Sequence, residues 1–169
     1  MKNVLATVLV IVLVLVGVSL AFVYSGIYDV SASTPDNPFI ARLIHTISDR
    51  SVAARMVNNH PPADYDAPEK VAVGAHLFAE NCTVCHGAPG VEKTAIAKGV
   101  NPSPPDLFRA GRKPDPAENF QFIKYGVKMT AMPAFGPSYS DEQIWSLVAF
   151  LNKLPGISPE EYAGLGATK

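Results

Sequence analysis

The chain has 169 residues, which is enough for one modest domain with an attached segment and too few for two large cores. Its formal net charge is −1, and the sequence has no basic block or basic helix face. Nucleic acid is therefore not expected as a partner, because nothing would neutralise its phosphates.

The N-terminus carries an apolar run of 20 residues, from Val4 to Val23. A helix of that length covers about 30 Å, the thickness of a bilayer core. Ser19-Leu20-Ala21 is similar to a cleavage site, but the run is longer than the roughly 7–15 residues usual in a secretory signal. We expect a transmembrane anchor over residues 1–24 and keep a cleaved signal as the alternative. Since Lys2 precedes the run and Asp29 is the first charge after it, the rest of the chain should lie outside the cytoplasm.

Residues 25–68 are expected to form a tether and an amphipathic helical linker. Ser, Gly and Pro are frequent up to Asn37, and Asn37 followed by Pro38 predicts a helix start. Apolar residues then recur at helical spacing, and a second helical piece is expected from Ser51 to Asn58. The recurring apolar residues are Ile40, Leu43, Ile44 and Ile47.

Three arginines lie on this segment, at Arg42, Arg50 and Arg55. They could contact anionic lipid headgroups, but three arginines over 14 residues fall short of the clusters that mark a lipid-binding patch. We therefore expect them to form a solvated face on a helix that packs against the main domain and keep the lipid contact as the alternative. His45 and His60 lie in the same region, and we expect them to be surface or capping residues and not metal ligands.

Pro61-Pro62 and Pro68 mark the end of the linker. The main domain is expected over residues 69–157, with a C-terminal tail over residues 158–169. Its first helix is predicted from Lys70 to Asn81. Within that helix, Gly74 lies four positions before Phe78 and on the same face, where glycine allows a second helix to approach closely.

Cys82-Thr83-Val84-Cys85-His86 has the spacing that covalent attachment of a c-type haem requires. Cys82 and Cys85 can each add to one vinyl group, and His86 is then left as the proximal iron ligand. The chain has no other cysteine. Haem c is attached outside the bacterial cytoplasmic membrane, which agrees with a single-pass protein whose main domain faces the periplasm.

Other interpretations of the two thiols are weaker. A zinc site needs a fourth ligand, and the remaining histidines are not at zinc-finger spacing. A thioredoxin-like dithiol would need a βαβ context that the flanking sequence lacks. A disulfide between Cys82 and Cys85 suits an oxidising compartment, but it leaves the adjacent His86 without a role.

An iron bound on one side by His86 needs a soft donor on its other face, and Met129 and Met132 compete for that position. Both follow a helix predicted from Ala117 to Tyr125, which Gly126 can close in a left-handed conformation. Proline after Met132 favours an extended backbone suited to a loop. We therefore expect Met132 to be the distal ligand and Met129 to pack on the haem or in the core.

The last strong helix signal runs from Asp141 to Leu154. Ser140 can cap this helix, Lys153 lies in its last turn, and Pro155 with Gly156 stops it. Its apolar stripe consists of Ile144, Leu147, Val148 and Leu151, widened by Trp145 and Phe150.

Over residues 69–157 the chain resembles a monohaem class I cytochrome c. The stretch from Gly126 to Phe135 is similar to the methionine loop of that family, in which the ligand directly precedes a proline. The residues that match its helix crossing are Gly74, Phe78, Leu147 and Phe150. The resemblance implies an all-α fold, with a small helical domain around one covalent haem, here preceded by a transmembrane helix and a short amphipathic helical segment.

The resemblance also implies roles for residues around the haem. In the family a proline carbonyl accepts a hydrogen bond from the proximal histidine, and Pro104 or Pro105 could do so here, unless their segment only routes the chain. The haem propionates need charged or donor partners. Candidates are Arg109, Arg112, Lys113, Tyr125, Lys128 and Trp145, and no single one stands out.

The sequence thus predicts a one-electron carrier in a respiratory chain, with one haem c and with redox proteins in or near the membrane as partners. With His86 and Met132 both on the iron, no position is open for a small-molecule substrate, so no enzymatic activity is expected. One alternative is a fixed cytochrome subunit of a membrane-associated dehydrogenase or oxidase, docked through residues 39–60. The other is a haem sensor with a labile methionine.

Overall fold

The computed structural model of the protein describes residues 2–56, 60–111 and 115–165. Within these ranges the regular secondary structure is helical, which confirms the predicted all-α class. The helices are α1 (Lys2–Tyr24), α2 (Pro38–Met56), α3 (Pro68–Asn81), α4 (Thr83–His86), α5 (Ala95–Lys98), α6 (Pro116–Tyr125), α7 (Asp141–Lys153) and α8 (Pro159–Gly164). The chain separates into two compact units, Met1–Thr34 and Pro35–Lys169.

The first unit contains α1, which covers the predicted apolar run. Its mean hydropathy reaches 3.0 over 18 residues, and its described side chains are exposed. It is therefore long and apolar enough to cross a bilayer, although a signal sequence at the N-terminus has the same properties.

The chain after α1 closes a hydrogen-bonded turn around Asp29. One carboxylate oxygen of Asp29 accepts from the backbone N–H and the hydroxyl of Ser31, at 2.9 and 2.6 Å. The other oxygen accepts from the Thr34 hydroxyl at 2.5 Å. These bonds, led by the one from the Ser31 hydroxyl, lower the pKa of Asp29 to about 2.

The first helix of the second unit, α2, begins as predicted after Asn37, whose side chain accepts from the backbone N–H of Phe39 at 2.9 Å. The two helical pieces expected from the sequence are one continuous helix, α2, because no glycine or proline lies between them. The final two residues of the second piece, at positions 57 and 58, lie outside the described ranges.

Helix α2 packs against α6, and the Gln121 side chain donates to the Arg55 carbonyl at 3.1 Å. The helix therefore packs on the main domain as expected, but not through its apolar stripe. Val52 and Met56 are half-buried, whereas the residues of the stripe remain exposed.

Helices α3 and α7 cross at the centre of the core. A methyl group added at Gly74 would lie 1.9 Å from the Ser146 carbonyl oxygen and 2.9 Å from Phe150 Cβ. Beside this point the rings of Phe78 and Phe150 pack with their centroids 5.2 Å apart. The predicted close helix approach at Gly74 is confirmed.

Helix α6 begins within one residue of its predicted start, and α7 begins at its predicted start. Asp115 caps α6 by accepting from the N–H three residues later at 3.0 Å. Ser140 caps α7 in a reciprocal capping box with Gln143. The two helices meet where Trp145 stacks on Phe120, with ring centroids 4.4 Å apart.

The segment expected to be a C-terminal tail differs from the prediction. Ser158 and Glu161 form a second capping box that starts α8, and Tyr162 is buried against Phe78 and Phe150 at centroid distances of 6.4 and 6.1 Å. Residues 158–165 therefore complete the core, and residues 166–169 lie outside the described ranges.

Candidate functional site

The Cys-X-X-Cys-His segment continues directly from α3 into the single turn of α4. Cys82 ends one helix and begins the other, since its N–H donates to the Phe78 carbonyl and its carbonyl accepts from the His86 N–H, both at 2.9 Å. Because Phe78 is fully buried, this connection fixes both cysteines and His86 relative to the core.

Both cysteines are half-buried, and neither forms a disulfide. Burial raises the pKa of the Cys82 thiol to about 12, with a smaller contribution from Cys85. A redox-active dithiol needs a lowered thiol pKa, so this environment does not favour the thioredoxin-like alternative. In the part of the chain that the structure describes, no three His, Cys, Asp or Glu side chains come together to hold a metal ion, which gives zinc no support.

The proline-rich segment orients the imidazole of His86. Nδ1 of His86 lies 2.9 Å from the Pro105 carbonyl oxygen. A carbonyl only accepts, so Nδ1 carries the proton and Nε2 carries the lone pair, which is the tautomer that iron ligation needs. Of the two prolines considered from the sequence, Pro105 makes this contact.

Lys93, which sequence reasoning missed, holds the same segment. Its ammonium group donates to the carbonyl of Pro104, the residue directly before the acceptor of His86. The next residue, Thr94, donates its hydroxyl to the Val84 carbonyl of α4 at 2.6 Å. Lys93 and Thr94 therefore connect the proline segment to the turn that carries the cysteines. The sequence does indicate that such a donor is needed, because a run of prolines has carbonyl acceptors but few N–H groups of its own.

Met129 and Met132 have very different environments. Met132 is half-buried and packs against the hydrophobic core, and its N–H donates to the Thr130 hydroxyl at 3.1 Å. Met129 is 82% exposed and has a positive φ of 61°. Met129 is therefore not a core residue, which corrects one of the two roles expected for it.

Gly126 makes the methionine loop possible. It ends α6 with φ of 64°, as predicted, but its ψ of −174° is extended and not left-handed helical, so the chain leaves the helix directly into the loop. A Cβ here would lie 2.7 Å from the Ala134 nitrogen and 2.8 Å from the Met132 carbonyl oxygen. Only glycine lets the segment around Met132 return this close to the end of α6.

The propionate candidates differ in exposure. Arg109, Tyr125 and Lys128 are exposed, whereas Trp145 is buried in its stack on Phe120. Arg112 and Lys113 lie outside the described residues. The histidines expected at the surface, His45 and His60, are exposed.

Tyr65 is a further residue that sequence reasoning missed, because it lies in the predicted linker. Its ring packs edge-on against Trp145 at a centroid distance of 6.0 Å, and its hydroxyl accepts from Asn152 at 2.8 Å. Nearby, Asp64 pairs with Lys70 of α3 at 2.9 Å. The end of the linker is thus part of the domain.

These donors together suit a c-type haem. The turn of α4 presents two unbonded thiols and an imidazole whose lone pair is on Nε2. A thioether is held half-buried at Met132 by a closed loop, in which the Val127 N–H donates to the Met132 carbonyl at 3.1 Å. Imidazole and thioether are a known axial pair for haem iron.

Two comparisons with known proteins point to cytochromes c. The family model of subunit III of the cbb3-type cytochrome c oxidase matches residues 69–151. A 1-butanol dehydrogenase (cytochrome c) from Thauera butanivorans is 33% identical over 89 residues, which cover 52% of this chain and 12% of the relative. No solved structure matches the chain at a significant level. Residues 69–151 are therefore similar to cytochrome c domains, which carry electrons.

Proposed function

We propose that the chain carries single electrons between redox proteins of a respiratory chain by means of one covalently bound haem c. Cys82 and Cys85 would hold the haem through thioether bonds, and His86 and Met132 would be its axial ligands. The main support for the proposal is the hydrogen bond from His86 Nδ1 to the Pro105 carbonyl. This bond leaves the lone pair on Nε2, the nitrogen that would bind iron. A proline segment that only routed the chain would not need this bond.

When bound, a haem iron gains or loses one electron and supplies the redox chemistry. The residues of the chain would keep both axial positions filled, so that ligand geometry changes little between the two redox states. Hydrogen bonding to Pro105 makes His86 a stronger donor. Ligation by the Met132 sulfur raises the reduction potential relative to a second imidazole.

The proposed location is the bacterial cytoplasmic membrane, with α1 as a single span and residues 69–157 facing the periplasm. The length and apolar composition of α1 and the position of Lys2 support this arrangement. Residues 25–37 would then be the tether, and the linker would follow up to residue 68, with its last part packed on the domain. Anchoring would confine the haem domain near the membrane and raise its effective concentration toward redox complexes there.

Covalent attachment is tested by extracting the full-length protein with acid acetone and weighing the remaining polypeptide by mass spectrometry. We expect the pigment to stay with the polypeptide and the mass to increase by one haem. The Cys82→Ala/Cys85→Ala variant should lose all covalently held pigment. Clean extraction from the wild-type protein, or an increment of any other number of haems, would contradict the proposal.

A fixed cytochrome subunit is the second candidate. The comparisons favour it, because the matching family is an oxidase subunit and the similar protein is a dehydrogenase with cytochrome c in its name. Solubilising native membranes in mild detergent distinguishes the two candidates. A stable complex of fixed stoichiometry would support the subunit, and recovery of the cytochrome alone would support the carrier.

A further inference from the structure

Helix α2 exposes its largest apolar side chains. Phe39 is 72% exposed and Ile47 is 60% exposed, and the residues between them on the same face are also open to solvent. This apolar stripe consists of Phe39, Ile40, Leu43, Ile44 and Ile47. A helix that packs on its own domain normally buries such residues, so the stripe points to a contact outside the domain.

The side of α2 that meets the domain lies almost opposite the apolar stripe. The half-buried positions of the helix are Ala41, Ser48, Val52 and Met56. At 100° per residue, their centre lies about 140° around the helix axis from the centre of the stripe. The helix is therefore held on the domain by this side, and its apolar stripe faces away from that contact.

The charges around the stripe fit an anionic surface. Arg50 and Arg55 lie within about 90° of the centre of the stripe, and both are exposed. The one acidic residue of α2, Asp49, lies about 150° from that centre, beside the third arginine, Arg42, at about 130°. Exposed arginines beside apolar residues, with the acid on the far side, are typical of helices that lie in the headgroup region of a membrane.

The chain also limits what the stripe can reach. Only 13 residues, 25–37, connect the end of α1 to the start of α2, so a fully extended connection spans at most about 45 Å. If α1 crosses the bilayer, α2 cannot leave the membrane surface by more than this distance. The local concentration of lipid at the stripe is then far higher than that of any diffusing protein.

We propose that the apolar stripe of α2 lies in the headgroup region of the bilayer that α1 anchors, with Arg50 and Arg55 near the lipid phosphates. The proposal rests on the proposed membrane anchor. It makes α2 a second, peripheral contact that sets the orientation of the haem domain on the membrane, because α2 is joined to α6 through Gln121 and Arg55.

The test is lipid photolabelling of the full-length, haem-loaded protein. The protein is reconstituted in vesicles of phosphatidylcholine and phosphatidylglycerol that contain a diazirine phospholipid, irradiated and digested with trypsin. Cleavage after Arg42 and Arg50 separates residues 43–50 from residues 3–42, which contain α1. Fragmentation of each labelled peptide locates its adducts, because Phe39 and Ile40 of the stripe share the first peptide with α1. We expect lipid adducts on residues 3–24 and on residues 43–50. Leu43→Gln/Ile47→Gln should remove those on residues 43–50, whereas His45→Gln, on the far side of the same peptide, should keep them.

Each result decides between the proposals. Adducts on residues 3–24 without adducts on residues 39–47 would overturn the α2 contact and leave the anchor in place, and a protein partner would then have to cover the stripe. Labelling of neither peptide would overturn both. Labelling of residues 43–50 that survives the double substitution would overturn the role of the stripe. Unchanged haem absorption confirms that each variant is folded.

Discussion

Two methionines three positions apart differ in what their side chains can reach. Met132 is held half-buried by hydrogen bonds at both its N–H and its carbonyl, whereas Met129 is exposed. The same loop that lowers the freedom of one thioether therefore leaves the other outside the core.

We expect Met132→Ala to abolish the sulfur-to-iron charge-transfer absorption of the oxidised protein, because it removes the proposed distal ligand. Met129→Ala is the matched control and should retain the band. Near-infrared absorption of the two oxidised variants checks the assignment. Loss of the band in Met129→Ala alone would transfer the ligand to that residue.

Lys93 is expected to position the acceptor of His86. Lys93→Met keeps the length of the side chain but removes its hydrogen bond to Pro104, which costs about 1 kcal/mol of local stability. The Nδ1 proton of His86 should then exchange with solvent about fivefold faster in the reduced protein, as measured by NMR.

Lys98→Met is the control for this change, because Lys98 is an exposed lysine paired only at the surface with Glu92. It removes the same charge without touching the proline segment and should leave the exchange rate unaltered. Equal acceleration in both variants would mean that charge, and not the contact with Pro104, is responsible.

At the level of helices, the packing of α3 on α7 depends on one missing side chain. A methyl group at Gly74 overlaps the backbone of Ser146, so Gly74→Ala must push the helices apart. We expect a loss of about 1–3 kcal/mol in the free energy of unfolding, or more if the shift reaches Phe78. Denaturant unfolding of the haem-loaded protein measures it.

Gly164→Ala is a suitable reference for the helix crossing. Gly164 lies in α8, and an added methyl group would meet nothing within 4 Å. Its effect on unfolding should be small, so a comparable loss in both variants would contradict the explanation from helix packing.

Prediction from the sequence succeeded where the signal is local. The cap at Ser140, the helical periodicity of α7 and the glycine at position 74 all act within one turn or on one helix face. Gly126 was predicted to have a positive φ, but its extended ψ depends on the returning loop, which no local pattern encodes.

Other features could not be read from the sequence, because they depend on contacts between distant segments. Lys93 contacts a carbonyl 11 positions away, and Tyr65 contacts Asn152 across 87 positions. The periodicity of α2 was visible, but periodicity alone does not say what covers the apolar face. The capping box at Ser158 is a local sequence pattern, although it lies in a segment that the sequence analysis expects to be a tail.

For the whole molecule, the main question is whether α1 remains attached. We expect mass spectrometry of the mature protein to find the residues of α1, and we expect the protein to stay in the membrane fraction after a carbonate wash that releases a soluble periplasmic marker. The reason is that the apolar run is longer than a typical signal. A mature chain that begins near Phe22 would instead mean a soluble carrier.

The hydrogen-bonded turn at Asp29 shortens the connection that would join the proposed membrane anchor to the second unit. Residues 29–34 form a hydrogen-bonded turn. The connection between α1 and α2 is therefore shorter than a fully extended chain of the same number of residues. The pKa of Asp29 is about 2, below its ordinary value, because the turn stabilises the carboxylate. These hydrogen bonds therefore stabilise the turn at higher pH, and this stabilisation is lost as pH falls through that value. Under the proposed membrane anchor, the reach of the domain from the bilayer should therefore stay the same at any pH above the ordinary pKa of Asp29, 3.8.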